Sequence, residues 1–106
     1  MQGSLVFGVA AAQAVNDPPL IDDVAFQARA AFGRMDEGLE CAKPTRAHVS
    51  FITIDLQDVT RDVDGFNAVW GEIFTCHSPA RCCIGAALQG MLLVEITFCA
   101  ERPDPL

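Results

Sequence analysis

Hydrophobic and polar positions alternate with two different periods along the 106-residue chain, and the switches between them mark out its elements. Leu5-Val6-Phe7 reads as a short strand after a Gly3-Ser4 turn. Asn16-Asp17-Pro18-Pro19 breaks structure, because proline lacks a backbone donor and fixes φ. Asp22 and Asp23 then supply an N-cap and first-turn negative charge for a helix. Its apolar face is Val24, Ala28, Phe32, Met35 and Leu39, while Gln27, Arg29, Arg34, Asp36 and Glu37 fall elsewhere on the wheel. Gly38 and Lys43-Pro44 end it.

Val49 to Leu56 is apolar on both alternating faces, as expected of a central strand covered on each side. Gln57 to Arg61 is a polar connection to a second helix, capped near Asp62 or Asp64, with Val63, Phe66, Trp70, Ile73 and Phe74 as its buried stripe. Ser78-Pro79 makes a turn, Ala80 to Leu88 a strand, and Gln89-Gly90 a tight hairpin signal. Met91 to Ala100 alternates as a last strand, and Arg102-Pro103-Asp104-Pro105 forms a loose tail. The order strand, helix, strand, helix, strand, strand predicts an α+β fold over a single domain, residues 1–106. Two amphipathic helices covering one face of a mixed sheet leave the other face to associate.

Composition sharpens that expectation. Hydrophobic residues make up 51% and mean hydropathy is +0.28, more than a domain this small buries alone. Burial between identical subunits accounts for the excess, since obligate interfaces resemble a core cut in half. The formal net charge of −7 repels phosphates, so nucleic acid and anionic membrane surfaces are poor partners. No run reaches the roughly 18 apolar residues that span a bilayer. Met1 to Ala14 lacks the basic start of a signal peptide, and an odd count of five cysteines matches no disulfide framework. Both observations point to the cytosol.

Candidate chemistry lies toward the C-terminus. An arginine fork grips a carboxylate bidentately, and Arg81 and Cys83 share one strand face by the two-residue period. Taken alone, Arg81 reads most simply as a structural ion pair or an exposed strand arginine. Glu95 inside an apolar strand needs water or a partner to stay charged, or else faces outward. Cys76, His77, Cys82 and Cys83 have the wrong spacing for a zinc knuckle, so no metal is expected. Buried cysteine is usually an inert small hydrophobe. His48 falls at a strand start, His77 in a loop, and Trp70 in the core.

Pro79-Ala80-Arg81-Cys82-Cys83-Ile84-Gly85, followed by Leu93-Val94-Glu95-Ile96, resembles the signature segment of the reactive-intermediate deaminase (Rid, YjgF-like) family, also known as endoribonuclease L-PSP-like. Leu5-Val6-Phe7 with the small residues after it, Asp23 to Arg29, Val49 to Leu56, Gly65 to Trp70 and Glu72-Ile73-Phe74 resemble its other segments. The resemblance implies a chorismate-mutase-like fold assembled as a homotrimer, with pockets between subunits and no cofactor. It implies hydrolysis of enamines and imines such as 2-aminoacrylate to a 2-oxo acid and ammonia. Arg81 maps to the carboxylate-binding arginine and Glu95 to the glutamate that holds the attacking water. Cys83 maps to the pocket residue whose backbone carbonyl faces water.

The chain departs from the family pattern at Gly8-Val9-Ala10-Ala11, where Val9 takes the place of a substrate-contacting serine and Ala11 that of a glutamine. It has no tyrosine, which the family carries near its N-terminus. The stretch from Arg81 to Leu88 is one residue shorter than the family's, and the Thr75 to Ser78 loop is short. Val9 predicts a more apolar pocket that favours larger or more apolar substrates. Besides a deaminase, two other classes fit this outline. One is a non-catalytic trimer that binds small carboxylates or a partner; the other is a ribonuclease, which the acidic charge disfavours.

Overall fold

The computed structural model describes residues 5–12, 21–42 and 44–102, with no account of the side chain at 42. The Gly3-Ser4 turn, the Asn16 to Pro19 break, the Lys43 helix stop and the tail beyond Arg102 lie outside the described residues. The elements run β1 (Leu5–Ala11), α1 (Val24–Ala42), a 3₁₀ turn (Arg46–His48), β2 (Val49–Leu56), α2 (Val59–Ile73), β3 (Ala80–Gly85) and β4 (Val94–Glu101). They form an α+β unit with a mixed four-stranded sheet ordered β1-β4-β2-β3.

β4 is antiparallel to both β1 and β2, whereas β3 lies parallel to β2. The chain therefore moves in one direction across the sheet through two helical crossovers, and a constant crossover hand puts both helices on the same face. On that face Ile52, Ile54, Leu56, Val94, Ile96 and Ala100 are buried against Ala28, Phe32, Met35 and Leu39 of α1 and Phe66 and Val69 of α2. Phe32, Phe66, Trp70 and Phe74 form an aromatic cluster in which Trp70 and Phe74 lie 4.5 Å apart by centroid. Close approach needs small residues at two points. A Cβ on Gly65 would sit 2.8 Å from Val24 Cγ1 where the helices meet, and one on Gly8 would enter the Phe98 ring.

The structure departs from the sequence pattern in several places. β1 runs on through Gly8 to Ala11, because Phe98 of β4 lies over Gly8 and supplies the bulk that the strand lacks. Asp23 caps α1 as expected, accepting from the Ala25 amide at 2.9 Å. α2 begins earlier than expected, capped by Asp58, which accepts from the Arg61 amide at 3.1 Å. Asp62 instead receives both arms of Arg61, at 2.9 and 2.8 Å.

Gln89-Gly90 turns with a positive φ of 56° at Gly90 but joins no hairpin, since β2 separates β3 from β4. The connection after Gly85 instead crosses the end of β2, tied by Ala86 N to Leu56 O at 2.9 Å and Gln57 N to Leu93 O at 3.0 Å. Gln27, placed by periodicity among the polar positions of α1, is fully buried. Its amide donates to the carbonyls of Ile21 and Met91 and accepts from the Leu93 amide at 2.8 Å, clamping the start of β4.

Candidate functional site

β3 is an edge strand, and register decides which way its side chains point. Arg81 pairs with Ile52 and Cys83 with Ile54, so both point to the helix-covered face, as the two-residue period required. The Arg81 guanidinium carbon lies 4.7 Å from the Trp70 ring centroid and 5.6 Å from that of Phe66. Its Nη2 donates to Asn67 Oδ1 at 2.7 Å. Trp70 is itself held by its indole N–H, 3.3 Å from Ser78 Oγ. Desolvation pushes the Cys83 thiol above its usual pKa, partly opposed by the neighbouring Arg81 charge. Cys83 is therefore a neutral thiol near neutral pH, unsuited to nucleophilic attack.

Other arginines behave differently. Arg29 grips Glu72, Arg46 grips Asp36 and Arg61 grips Asp62, each through two hydrogen bonds. Among the described residues Arg81 has no carboxylate partner; it meets an amide oxygen, the neighbouring Cys83 thiol and aromatic faces. Its remaining donors meet no carboxylate among the described residues.

Glu95 lies on the opposite face. It is cross-strand to Asp55 on one side and Ala11 on the other, in a row completed by Ile84. Both carboxylates are half-buried. Val9 belongs to the neighbouring row, Val9-Thr97-Thr53-Cys82, and is 64% exposed. The four positions singled out in the sequence thus fall into two groups within one chain. Arg81 and Cys83 sit together at the β3 edge on the covered face, while Glu95 and Val9 sit together on the open face. β1 and β3 are three strand spacings apart, roughly 14 Å, so Val9 and Arg81 of one chain do not meet. Sequence reading missed Asn67 and Asp55. The available signal for Asn67 was its place in the Phe66-Asn67-Trp70 run, whose spacing puts a polar residue beside the apolar stripe.

No group of three or more metal-ligating side chains occurs among the described residues. Nor is any described helix long and apolar enough to cross a membrane.

A mixed sheet backed by two helices is an α+β arrangement, and the sequence assigns the chain to a family within that class. Residues 5–102 match the Endoribonuclease L-PSP family, and the chain belongs to that family, the YjgF-like or Rid group. Rv2704 of Mycobacterium tuberculosis, a member of the YjgF/YER057c/UK114 family, is 28% identical with a TM-score of 0.80, over 93% of this chain and 80% of its own. NMB1025 of Neisseria meningitidis, a YjgF family protein, is 27% identical with a TM-score of 0.82, over 97% of this chain and 82% of its own. E. coli TdcF, solved with bound serine, is 24% identical with a TM-score of 0.83, over 95% of this chain and 83% of its own, a likeness of fold. Curated protein sequences gave no significant match.

Proposed function

We propose that the chain is the single-domain subunit of a cytosolic homotrimer that hydrolyses reactive enamines and imines, converting 2-imino acids to 2-oxo acids and ammonia between subunits. The observation that carries this reading is Arg81, which has a neutral hydrogen-bond partner and no carboxylate among the described residues. A half-buried guanidinium left without a counter-charge suits an anionic ligand. The serine bound to TdcF carries such a carboxylate. Free thiols at all five cysteines fit a reducing compartment.

Arg81 and Glu95 act together only across a subunit boundary, because one chain points them to opposite faces. In the proposed pocket Arg81 of one subunit grips the substrate carboxylate, and Glu95 of the next accepts a hydrogen bond from water. Water adds to the imine carbon, whose C=N bond is already electrophilic; the carbinolamine then collapses, the C–N bond breaks and the nitrogen leaves as ammonia. One imine and one water give one oxo acid and one ammonia, with no redox change. Positioning supplies most of the catalysis, Arg81 holding the substrate and Glu95 the water that attacks it, and the Glu95 carboxylate is the general base for that water. Cys83 and Val9 line the pocket, and Val9 favours larger, more apolar imino acids over 2-iminopropionate, since each added buried methylene contributes about 0.8 kcal/mol.

A second reading, a trimer that binds small carboxylates without turnover, draws on Val9 standing where the family carries a serine and on the absence of tyrosine. Stopped-flow hydrolysis of freshly generated 2-imino acids of increasing chain length separates the two. Accelerated ammonia release supports the deaminase. Carboxylate binding that needs Arg81, with no turnover on any imine, supports the second reading.

A further inference from the structure

In a chain with 14 acidic residues against 7 basic ones, an arginine has acids to spare, and the bidentate pairs of Arg29, Arg46 and Arg61 show the usual outcome. Arg81 escapes it through its surroundings. Asn67 offers an acceptor of the same reach as aspartate but without charge, at 2.7 Å from Nη2. Trp70 stands 4.7 Å from the guanidinium carbon, so an aromatic ring covers the cation on that side without neutralising it. The Ser78 hydroxyl, 3.3 Å from the indole nitrogen, fixes that ring from the turn that leads into Pro79-Ala80-Arg81.

We infer that Asn67 and Trp70 are positioning residues that hold Arg81 as an unneutralised cation and offer its remaining donors to a planar monocarboxylate. The inference rests on Arg81 being the carboxylate anchor, and it narrows the substrate class. A ligand with one carboxylate matches the single cation. A dicarboxylate brings a second charge into a chain of net charge −7, and no second arginine is among the described contacts of Arg81.

Trp70 is the chain's one tryptophan, so its emission reports ligand arriving at Arg81. The intact protein is titrated with 2-oxobutanoate, its amide and 2-oxoglutarate, alongside Arg81→Ala, Asn67→Ala and Asn67→Asp. Wild type is expected to bind 2-oxobutanoate in preference to both comparison ligands. Asn67→Ala weakens binding about tenfold and narrows the preference of carboxylate over amide, as loss of one hydrogen bond to a charged group predicts. Asn67→Asp supplies the missing counter-charge and loses binding as fully as Arg81→Ala. Both Asn67 variants keep the wild-type melting temperature within a few degrees, since the side chain is exposed. Loss in Arg81→Ala with wild-type affinity in Asn67→Asp overturns the positioning role alone. Undiminished binding by Arg81→Ala, or no binding by wild type, overturns the anchor and its positioning together. Equal or tighter binding of 2-oxoglutarate overturns the monocarboxylate preference.

Discussion

The two faces of the sheet are built from the same four strands and have opposite fates. On the covered face every row is closed by a helix, and Ile52, Ile54, Val94 and Ile96 are fully buried. On the other face Phe7 is 70% exposed and Phe51 41%, in one row with Cys99 and Ala80. That face also carries Glu95 and Asp55 directly opposite each other, an arrangement that weakens a strand pair. The covered face is complete within one chain, whereas the open face combines an apolar end with an acidic one and gains from a partner. The difference places Arg81 and Glu95 on opposite faces of one chain, so the proposed function requires an assembly to bring them into one site.

The largest expected effect follows from closing the open face. Wild type should sediment as a trimer, and Phe7→Asp combined with Phe51→Asp should sediment as a folded monomer with the helical signal retained. A wild-type monomer at micromolar concentration would remove the assumption on which the shared site depends. On the covered face, Gly8→Ala should destabilise by about 1–3 kcal/mol in chemical denaturation, because the new methyl overpacks against Phe98. An unchanged midpoint would show that the Phe98 ring moves aside freely.

Adjacent cysteines probe the two faces at closer range. Cys82 points to the open face and Cys83 to the covered one. In the monomerised variant iodoacetamide should modify Cys82 quickly and Cys83 slowly at pH 8; in wild type both should be slow. Burial raises the Cys83 pKa, so its neutral thiol stabilises the fold fully below the unfolded thiol value of about 8.5. That contribution is lost as pH rises through the folded value. Rapid modification of Cys83 would show that the β3 edge opens more readily than its packing indicates.

The smallest effect belongs to the outer surface of the helices. Arg29 holds the Glu72 carboxyl below its usual pKa by a direct hydrogen bond. The pair therefore adds stability above the ordinary carboxylate range, and this is lost as pH falls through the lowered value. Both side chains are exposed, so Glu72→Gln should lower Tm only slightly at low salt and not measurably at high salt.

Much of this architecture was legible in the residues. The α1 stripe and the shared direction of Arg81 and Cys83 follow from periods of 3.6 and 2, which are local properties. β2 is an interior strand as expected, but only one of its faces is covered within the chain, Phe51 on the other lying exposed. Strand partners are not local. Gln89-Gly90 signals a turn correctly, but which strands flank it depends on the β2-α2-β3 crossover claiming the place beside β2. Gly8 and the alanines after it resemble a loop until Phe98 is laid across them. Buried Gln27 could not be read from its helix alone, because its partners at Met91 and Leu93 arrive from the far end of the chain. The separation of Glu95 from Arg81 was hidden for the same reason, since each strand's period is clear but the register that relates them is set by β2 between them.

If Arg81 of one subunit and Glu95 of another complete a single site, two inactive variants should restore each other when their subunits are mixed. Arg81→Ala and Glu95→Gln are each purified, confirmed to be trimeric, then unfolded together in equal amounts and refolded so that subunits exchange. Each variant alone should show no acceleration of imine hydrolysis. In the mixture some boundaries combine an intact Arg81 with an intact Glu95, roughly a quarter of them for random assembly in a closed ring. About that fraction of wild-type activity should return, with mixed trimers demonstrated by mass spectrometry. Mixed trimers that remain as inactive as the separate variants would contradict it.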